Sequence, residues 1–214
     1  MFNQAPVEFG ITRAAFISDA HVRAFCHQIN PLASAENVVI RPESWCEPLQ
    51  CFHNVRKMAA KNGGRIQFGF AIWEWPRVFI EAEHHAVYDP GNGSPLVDVT
   101  PALATESART FLRDDTAEYD FTNEGYCRDN HRHALNNSPI IHEFLSVSAR
   151  IVKIKNSIPG VGEVRVPARI AHELQQLEFI KANLMIQIAM QFSSRNDPCF
   201  CRSGLKFKKC HGRN

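Results

Sequence analysis

The chain has 214 residues, 44% of them hydrophobic, which suits one ordinary domain with a sizeable core plus an appendage. A formal net charge of +2 excludes a nucleic-acid footprint spread over the whole chain, and no apolar run is long enough for a transmembrane helix, so no membrane insertion is expected. The first residues lack the basic-then-apolar order of a secretion signal, so a cytoplasmic protein with reduced cysteines is expected.

In chain order, Ser18 and Asp19 suit the cap of a helix over 20–28, which Pro31 ends. Residues 38–50, holding Pro42 and Pro48, read as a strand and then a loop. Val55, Met58 and Ala59 give the spacing of one buried face to a helix over 51–61, and Asn62-Gly63-Gly64 stops it. Residues 65–75 alternate in part, with Ile66, Phe68, Phe70 and Ile72 on one side of a strand that Pro76 breaks. Residues 78–88 form a second strand, 89–95 a turn by composition, and 96–99 a third strand ended by Pro101. The last two strands are expected to pair as a hairpin. Residues 102–137 are polar and irregular and are expected to wrap the core as loops and short helices. Ser138-Pro139 opens a helix to about Asn156. Pro159-Gly160-Val161-Gly162 is a turn, and a long helix over about 167–192 carries the stripe Leu174, Leu177, Ile180, Leu184 and Ile188.

Three of the seven cysteines lie between Cys199 and Cys210, followed at once by His211. Two thiols one residue apart can grip a metal from a tight turn, and Cys210 with His211 closes the shell. Zn²⁺ takes four sulfur or nitrogen ligands in a tetrahedron, and its structural sites leave no position open. Ser203-Gly204 supplies the turn between the pairs, and Phe207 can cover one side. The segment is too short to fold on apolar burial alone, so one structural Zn²⁺ is expected to supply its folding free energy. These residues resemble the SEC-C motif found at the tails of SecA preprotein translocases, with Phe200 and Arg202 where the usual pattern has proline and glycine. The resemblance implies a protein partner for the tail, such as a chaperone or the ribosome. The basic run Lys206, Lys208 and Lys209 suits an acidic protein surface or RNA phosphates, and equally a solvated charged face.

Cys51 opens a helix, where the positive end of the dipole favours a thiolate. His85 lies mid-strand and Asp98 lies in the strand after the turn. Opposed residues of an antiparallel pair share a face, so a hairpin centred between Gly91 and Asn92 would set His85 opposite Asp98. A one-residue slip would make His84 the partner instead. Nucleophile, base and orienter then occur in the order Cys51, His85, Asp98. The alternative is that Asp98 caps the turn at Val99-Thr100-Pro101. Near the site, Gln50 is a candidate for the oxyanion, and Glu81 or Glu83 for raising the basicity of His85. The segment 129–133 is His-rich but reads as a polar loop, and Cys127 is isolated.

The segments 51–55, 83–87 and 96–100 resemble the cysteine-hydrolase core of the transglutaminase-like superfamily, notably the protein N-terminal glutamine amidohydrolases. That resemblance implies Cys51 as nucleophile, His85 as base and Asp98 as orienter in amide hydrolysis. The wider pattern of Cys51-x-x-Asn54-Val55, Gly63-Gly64, Ile72-Trp73-Glu74, the strand through His85 and Asp98-Val99-Thr100-Pro101 is similar to a bacterial family often joined to a SEC-C tail. The expected fold is α+β: a small antiparallel sheet packed on the Cys51 helix, two long C-terminal helices, and a short zinc-stabilised tail. The expected boundaries are a papain/transglutaminase-like core over 1–137, a helical extension over 138–193 and a SEC-C module over 194–214. The leading function is a zinc-binding SEC-C protein with a cysteine-dependent amidohydrolase core. Its rivals are a noncatalytic protein-binding adaptor and a ribosome- or RNA-associated factor that uses the basic tail.

Overall fold

The apolar patterning of the chain resolves into seven strands and four helices among the described residues. A computed structural model describes residues 12–102, 106–122, 128–158 and 166–213. In order these are β1 (Arg13–Ala14), α1 (Ala20–Ile29), β2 (Glu36–Ile40), α2 (Cys51–Asn62), β3 (Arg65–Trp75), β4 (Phe79–Asp89), β5 (Val97–Asp98), β6 (Ala108–Arg113), β7 (His131–Ala134), α3 (Pro139–Asn156) and α4 (Ala168–Phe192). Cys127 and the turn expected over 159–162 lie outside the described residues. No helix among them is long and apolar enough to cross a membrane.

The chain divides into two compact units. One comprises Ala14–Glu74 and Ile80–Tyr119. Its strands run β3-β6-β2-β5-β4, and β4 pairs back onto β3, closing a five-stranded barrel. This corrects the expectation of a small antiparallel sheet, since the ring is closed and β2 and β5 run parallel, with Ile40 beside Asp98. It also corrects the reading of 102–137 as loops and short helices. Ala108–Arg113 is β6, which pairs antiparallel with both β2 and β3 and completes the ring. Residues 109–112 are all buried, so β6 lacks the polar-apolar alternation of a one-sided strand. The flanking arginines made the segment look like surface.

Alternate residues of β4 feed two cores. Ala86 and Tyr88 pack with Val55 and Met58 of α2 and with Val99. Val87 packs with Val38, Leu96 and Phe111. Gly64, between the Gly63 cap of α2 and β3, has φ +77°, and a Cβ there would lie 2.4 Å from the Asp89 carbonyl oxygen. Only glycine serves both the backbone angle and the approach. At Gly69 the constraint is contact alone, since a Cβ would lie 2.2 Å from the Leu112 carbonyl oxygen and 2.6 Å from the Phe111 ring.

The other unit comprises residues 12–13, Trp75–Phe79 and the described residues from Asp120 onward. Pro139 sits in the first turn of α3, as the Ser138-Pro139 pair implies. Ile151 of α3 packs on Leu174 and Leu177 of α4. Of the α4 stripe, Leu174, Leu177, Leu184 and Ile188 are buried, but Ile180 is 40% exposed. A step of three from Leu177 to Ile180 followed by four to Leu184 holds the helical period, but the buried line runs from 177 to 184 directly. The His-rich segment read as a loop is in part strand β7, and Leu135 beyond it donates its N–H to the Val78 carbonyl.

A larger core joins Trp75, Val78 and Phe79 to Ile141 and Phe144 of α3 and to Leu184, Ile188 and Ala189 of α4. Cys199, Phe200 and Phe207 belong to the same core, so the cysteine-rich segment is anchored by two phenylalanines. Arg77 adds hydrogen bonds to Ser194 Oγ at 2.7 Å and to Asp197 Oδ2 at 2.5 Å.

Candidate functional site

The cysteine-rich segment builds its own frame. Pro198 pairs with Lys206 in an antiparallel bridge, and the Cys199 N–H donates to the Leu205 carbonyl at 2.8 Å. Gly204 at φ +73° and Arg202 at φ +60° make the turn between the strands. A 3₁₀ turn over Phe207–Lys209 then carries the chain back, with the Cys210 and Gly212 N–H groups both donating to the Phe207 carbonyl. The result is one cluster of four side chains. Cys199 Sγ lies 3.2 Å from His211 Nδ1 and 3.5 Å from Cys201 Sγ, while Cys210 Sγ lies 3.5 Å from Cys201 Sγ and 3.4 Å from His211 Nδ1. All four donor atoms fall within 4.8 Å of one another.

These separations test the fit to a metal. A tetrahedron with bonds of about 2.3 Å to sulfur and about 2.0 Å to nitrogen sets neighbouring donors roughly 3.5–3.8 Å apart. The contacts are close to that and far longer than the roughly 2.05 Å of a disulfide. The Cys199 thiol is lowered to about 6: burial opposes the shift, but the N–H groups of Cys201 and His211 and the His211 side chain outweigh it. Backbone N–H donors aimed at a ligand sulfur stabilise the thiolate that a metal requires. Phe200 packs against the His211 ring at 4.6 Å and fixes its plane. Ser203 Oγ, which the sequence reading used only as a turn residue, also reaches Cys210 Sγ at 3.5 Å. The residues present fit one zinc ion in a structural role.

The second candidate site is in the barrel. Tyr88 pairs with Val97, whereas a His85–Asp98 pairing would have put Ala86 there, so the register differs by two residues from that expected. An even shift keeps side chains on the same face. His85 Nε2 therefore still meets Asp98 Oδ2, at 2.9 Å, with the ring N–H donating to the carboxylate. His84 instead lies among rings, 5.1 Å from Phe52 and 6.0 Å from Phe70. Asp98 also holds the turn, since its Oδ1 accepts the Thr100 N–H at 2.8 Å. One carboxylate thus holds both the turn and the His85 ring.

Cys51, at the start of α2, lies close enough to His85 to act on its imidazole electrostatically. The loop before it is braced by Asn54, whose Oδ1 accepts the Glu47 N–H at 3.0 Å and whose Nδ2 donates to the Glu47 carbonyl at 2.7 Å. Leu49, two residues before the cysteine, holds φ +64°, an uncommon backbone conformation for a branched residue. Cys51 is 8% exposed, His85 6% and Asp98 0%.

Burial alone would push the His85 imidazole down, but the charge of Asp98, the nearby Cys51 thiol and the hydrogen bond to Asp98 raise it to about 10. Burial likewise opposes ionisation of Asp98, yet His85 and Arg109 hold its carboxyl below the usual range. Burial pushes the Glu83 carboxyl up, against the pull of His85, Arg109 and a 2.7 Å hydrogen bond from Trp73 Nε1. Sequence reasoning missed Arg109. It lay in a segment taken for loop, and a buried arginine facing a carboxylate two strands away in the ring order has no signature of spacing.

The remaining described cysteines differ. Cys26 and Cys46 are free thiols that burial pushes up, Cys26 to about 11. Elsewhere Asp19, His21 and Glu74 bring donor atoms within 4.8 Å of one another, with His21 Nε2 and Glu74 Oε1 at 2.9 Å.

No curated protein and no solved structure matches the chain, so the transglutaminase-like resemblance of the barrel segments stands on its short motifs alone. Residues 195–213 match the SEC-C motif. The chain thus carries a SEC-C motif whose three cysteines and one histidine form a donor set fit for zinc.

Proposed function

We propose that this zinc-binding SEC-C protein is a cysteine-dependent amidohydrolase, with Cys51 as nucleophile, His85 as acid and base, and Asp98 as orienter. One observation carries the reading. A buried imidazole meets a buried carboxylate at 2.9 Å and feels a thiol at the start of a helix, and the three come from separate elements. A thiol, an imidazole and a carboxylate gathered in this way are the parts acyl transfer needs.

The chemistry runs in two steps. Thiolate Cys51 attacks an amide carbonyl, forming a carbon–sulfur bond. The carbon–nitrogen bond breaks as His85 delivers its proton to the leaving ammonia or amine. Water then adds to the thioester carbonyl, its proton passing to His85, and the carboxylic acid leaves as the thiol is restored. Backbone N–H groups at the start of α2, near Cys51 and Phe52, are not used within the helix and suit the oxyanion. In the tail, Cys199, Cys201, Cys210 and His211 hold zinc as a structural ion, and the module so folded serves as a docking device for a protein partner.

The test is iodoacetamide labelling at pH 6 followed by peptide mapping, with ammonia release from glutamine-containing peptides measured in parallel. Cys51 is expected to label well ahead of Cys26 and Cys46. Equal labelling rates would sink the hydrolase. The near-complete burial of Cys51 and His85 favours a second reading, a noncatalytic adaptor that keeps the barrel only as a scaffold. In that case the labelling is slow and partner binding survives Cys51→Ala.

A further inference from the structure

Arg109 is 6% exposed and its guanidinium is spread over three acceptors. Nη1 donates to Asp98 Oδ2 in a short contact and lies 3.4 Å from the Thr100 carbonyl, while Nη2 donates to the Pro101 carbonyl at 3.3 Å. Its Cζ lies 5.7 Å from the centre of the Trp73 ring. The strand order makes this reach informative. Arg109 stands on β6 beside Val38 of β2, and Asp98 stands on β5 beside Ile40 of β2. The arginine therefore spans the intervening strand, about two strand spacings of 4.8 Å.

Asp98 Oδ2 is shared. It takes both the His85 Nε2 proton and the Arg109 Nη1 proton, while Oδ1 is held by Thr100. A carboxylate oxygen has two lone-pair sites, so Oδ2 is filled. Such a carboxylate cannot swing, and part of its charge is already offset before His85 meets it. We propose that Arg109 is a positioning residue for the Cys51–His85–Asp98 group, clamping Asp98 across β2 and offsetting its charge so that the imidazole can release its proton.

The proposal rests on the hydrolase reading for its purpose, but its physical content is separate. Among the described residues, the charged and titratable groups that interact with His85 or with Asp98 include Cys51 from α2, Cys46 from the loop before it, Glu83 from β4, which Glu81 of the same strand also reaches, Asp98 from β5 and Arg109 from β6. Removing the guanidinium leaves two carboxylates and one imidazole, so His85 must hold its proton more tightly. A purely structural arginine would lower stability without moving that proton.

The experiment uses the full chain with zinc bound. The His85 imidazole is titrated by ¹⁵N NMR in the wild type and in Arg109→Met, Arg109→Gln and Arg109→Lys, together with the pH profile of Cys51 alkylation. In Arg109→Met the His85 midpoint is expected to rise by about one pH unit, a tenfold gain in proton affinity, with Arg109→Lys close to wild type because it keeps the charge. Arg109→Gln keeps a donor for Asp98 and loses the charge, so it gives the same reading if the methionine variant does not fold. An unchanged or lowered midpoint in a folded neutral variant overturns the proposal. Slow alkylation of Cys51 in the wild type overturns the hydrolase instead, and the His85 midpoints still judge Arg109.

Discussion

The zinc segment and the barrel site are built on opposite plans. In the tail, four donors lie between Cys199 and His211, carried by a short bridge and one turn, and two phenylalanines fix the segment to a helical core. In the barrel, three side chains come from α2, β4 and β5, and a fourth from β6, all of them buried. A local site needs the right residue types at the right spacing, and the ion does the rest. A distributed site needs strand order and register as well. The difference teaches how each fails: the tail by losing one ion, the barrel by losing one contact in a chain of four.

The largest expected effect separates the two. Cys51→Ala should reduce amide hydrolysis by at least about a thousandfold, the scale on which a nucleophile is lost, while zinc content stays at one per chain. Steady-state ammonia release and elemental analysis on the same sample read both. Next comes the tail. Cys210→Ser or a strong chelator should remove the stoichiometric zinc and expose Phe200 and Phe207 to limited proteolysis, because the structural ion supplies about 10–16 kcal/mol in comparable short modules. A tail that stays protected without metal would show that the phenylalanine anchor suffices, and would erase the contrast.

Gly69→Ala attacks the barrel closure alone. Its Cβ has no room beside the Leu112 carbonyl and the Phe111 ring, so a loss of about 1–3 kcal/mol in urea unfolding is expected. pH sharpens the comparison further. His85 titrates near 10 folded against 6.5 unfolded, so the folded state binds the extra proton between these values. That contribution to stability is full below about pH 6.5 and is lost as pH climbs to about 10. Unfolding midpoints across that window should fall in the wild type and fall less in His85→Gln. The smallest effect belongs to the exposed lysines. Lys206→Glu with Lys209→Glu should weaken any salt-sensitive RNA binding by a few-fold, and unchanged binding removes the ribosome- or RNA-associated reading of the tail.

How much was legible in the sequence follows the same division. The bounds of α2, β3 and α3 were readable because each carries its own start and stop: Cys51 to Asn62-Gly63, the long alternation to Trp75, Ser138-Pro139. The four zinc donors were readable because thiols and imidazole at that spacing have few other uses. β6 was not readable, since Arg109 and Arg113 hid a strand buried on both faces. The hairpin register was two residues off, and the site tolerated the error only because the shift was even. The stabilising roles of Asn54 on the Glu47 loop and of Ser203 on Cys210 have no marker in the one-dimensional pattern.

Local order in this chain is thus determined by residue type and spacing: capping, turn chemistry, helical period and a metal-donor set all act over a few residues, where chain connectivity already holds the groups near one another. What only the tertiary structure decided is the closure of the barrel, the parallel entry of β5 beside β2, and the sharing of one Asp98 oxygen between His85 and Arg109. Those depend on contacts between residues far apart in sequence, and a contact of that kind is set by packing and by the need to partner buried charge, which no short stretch of residues carries by itself.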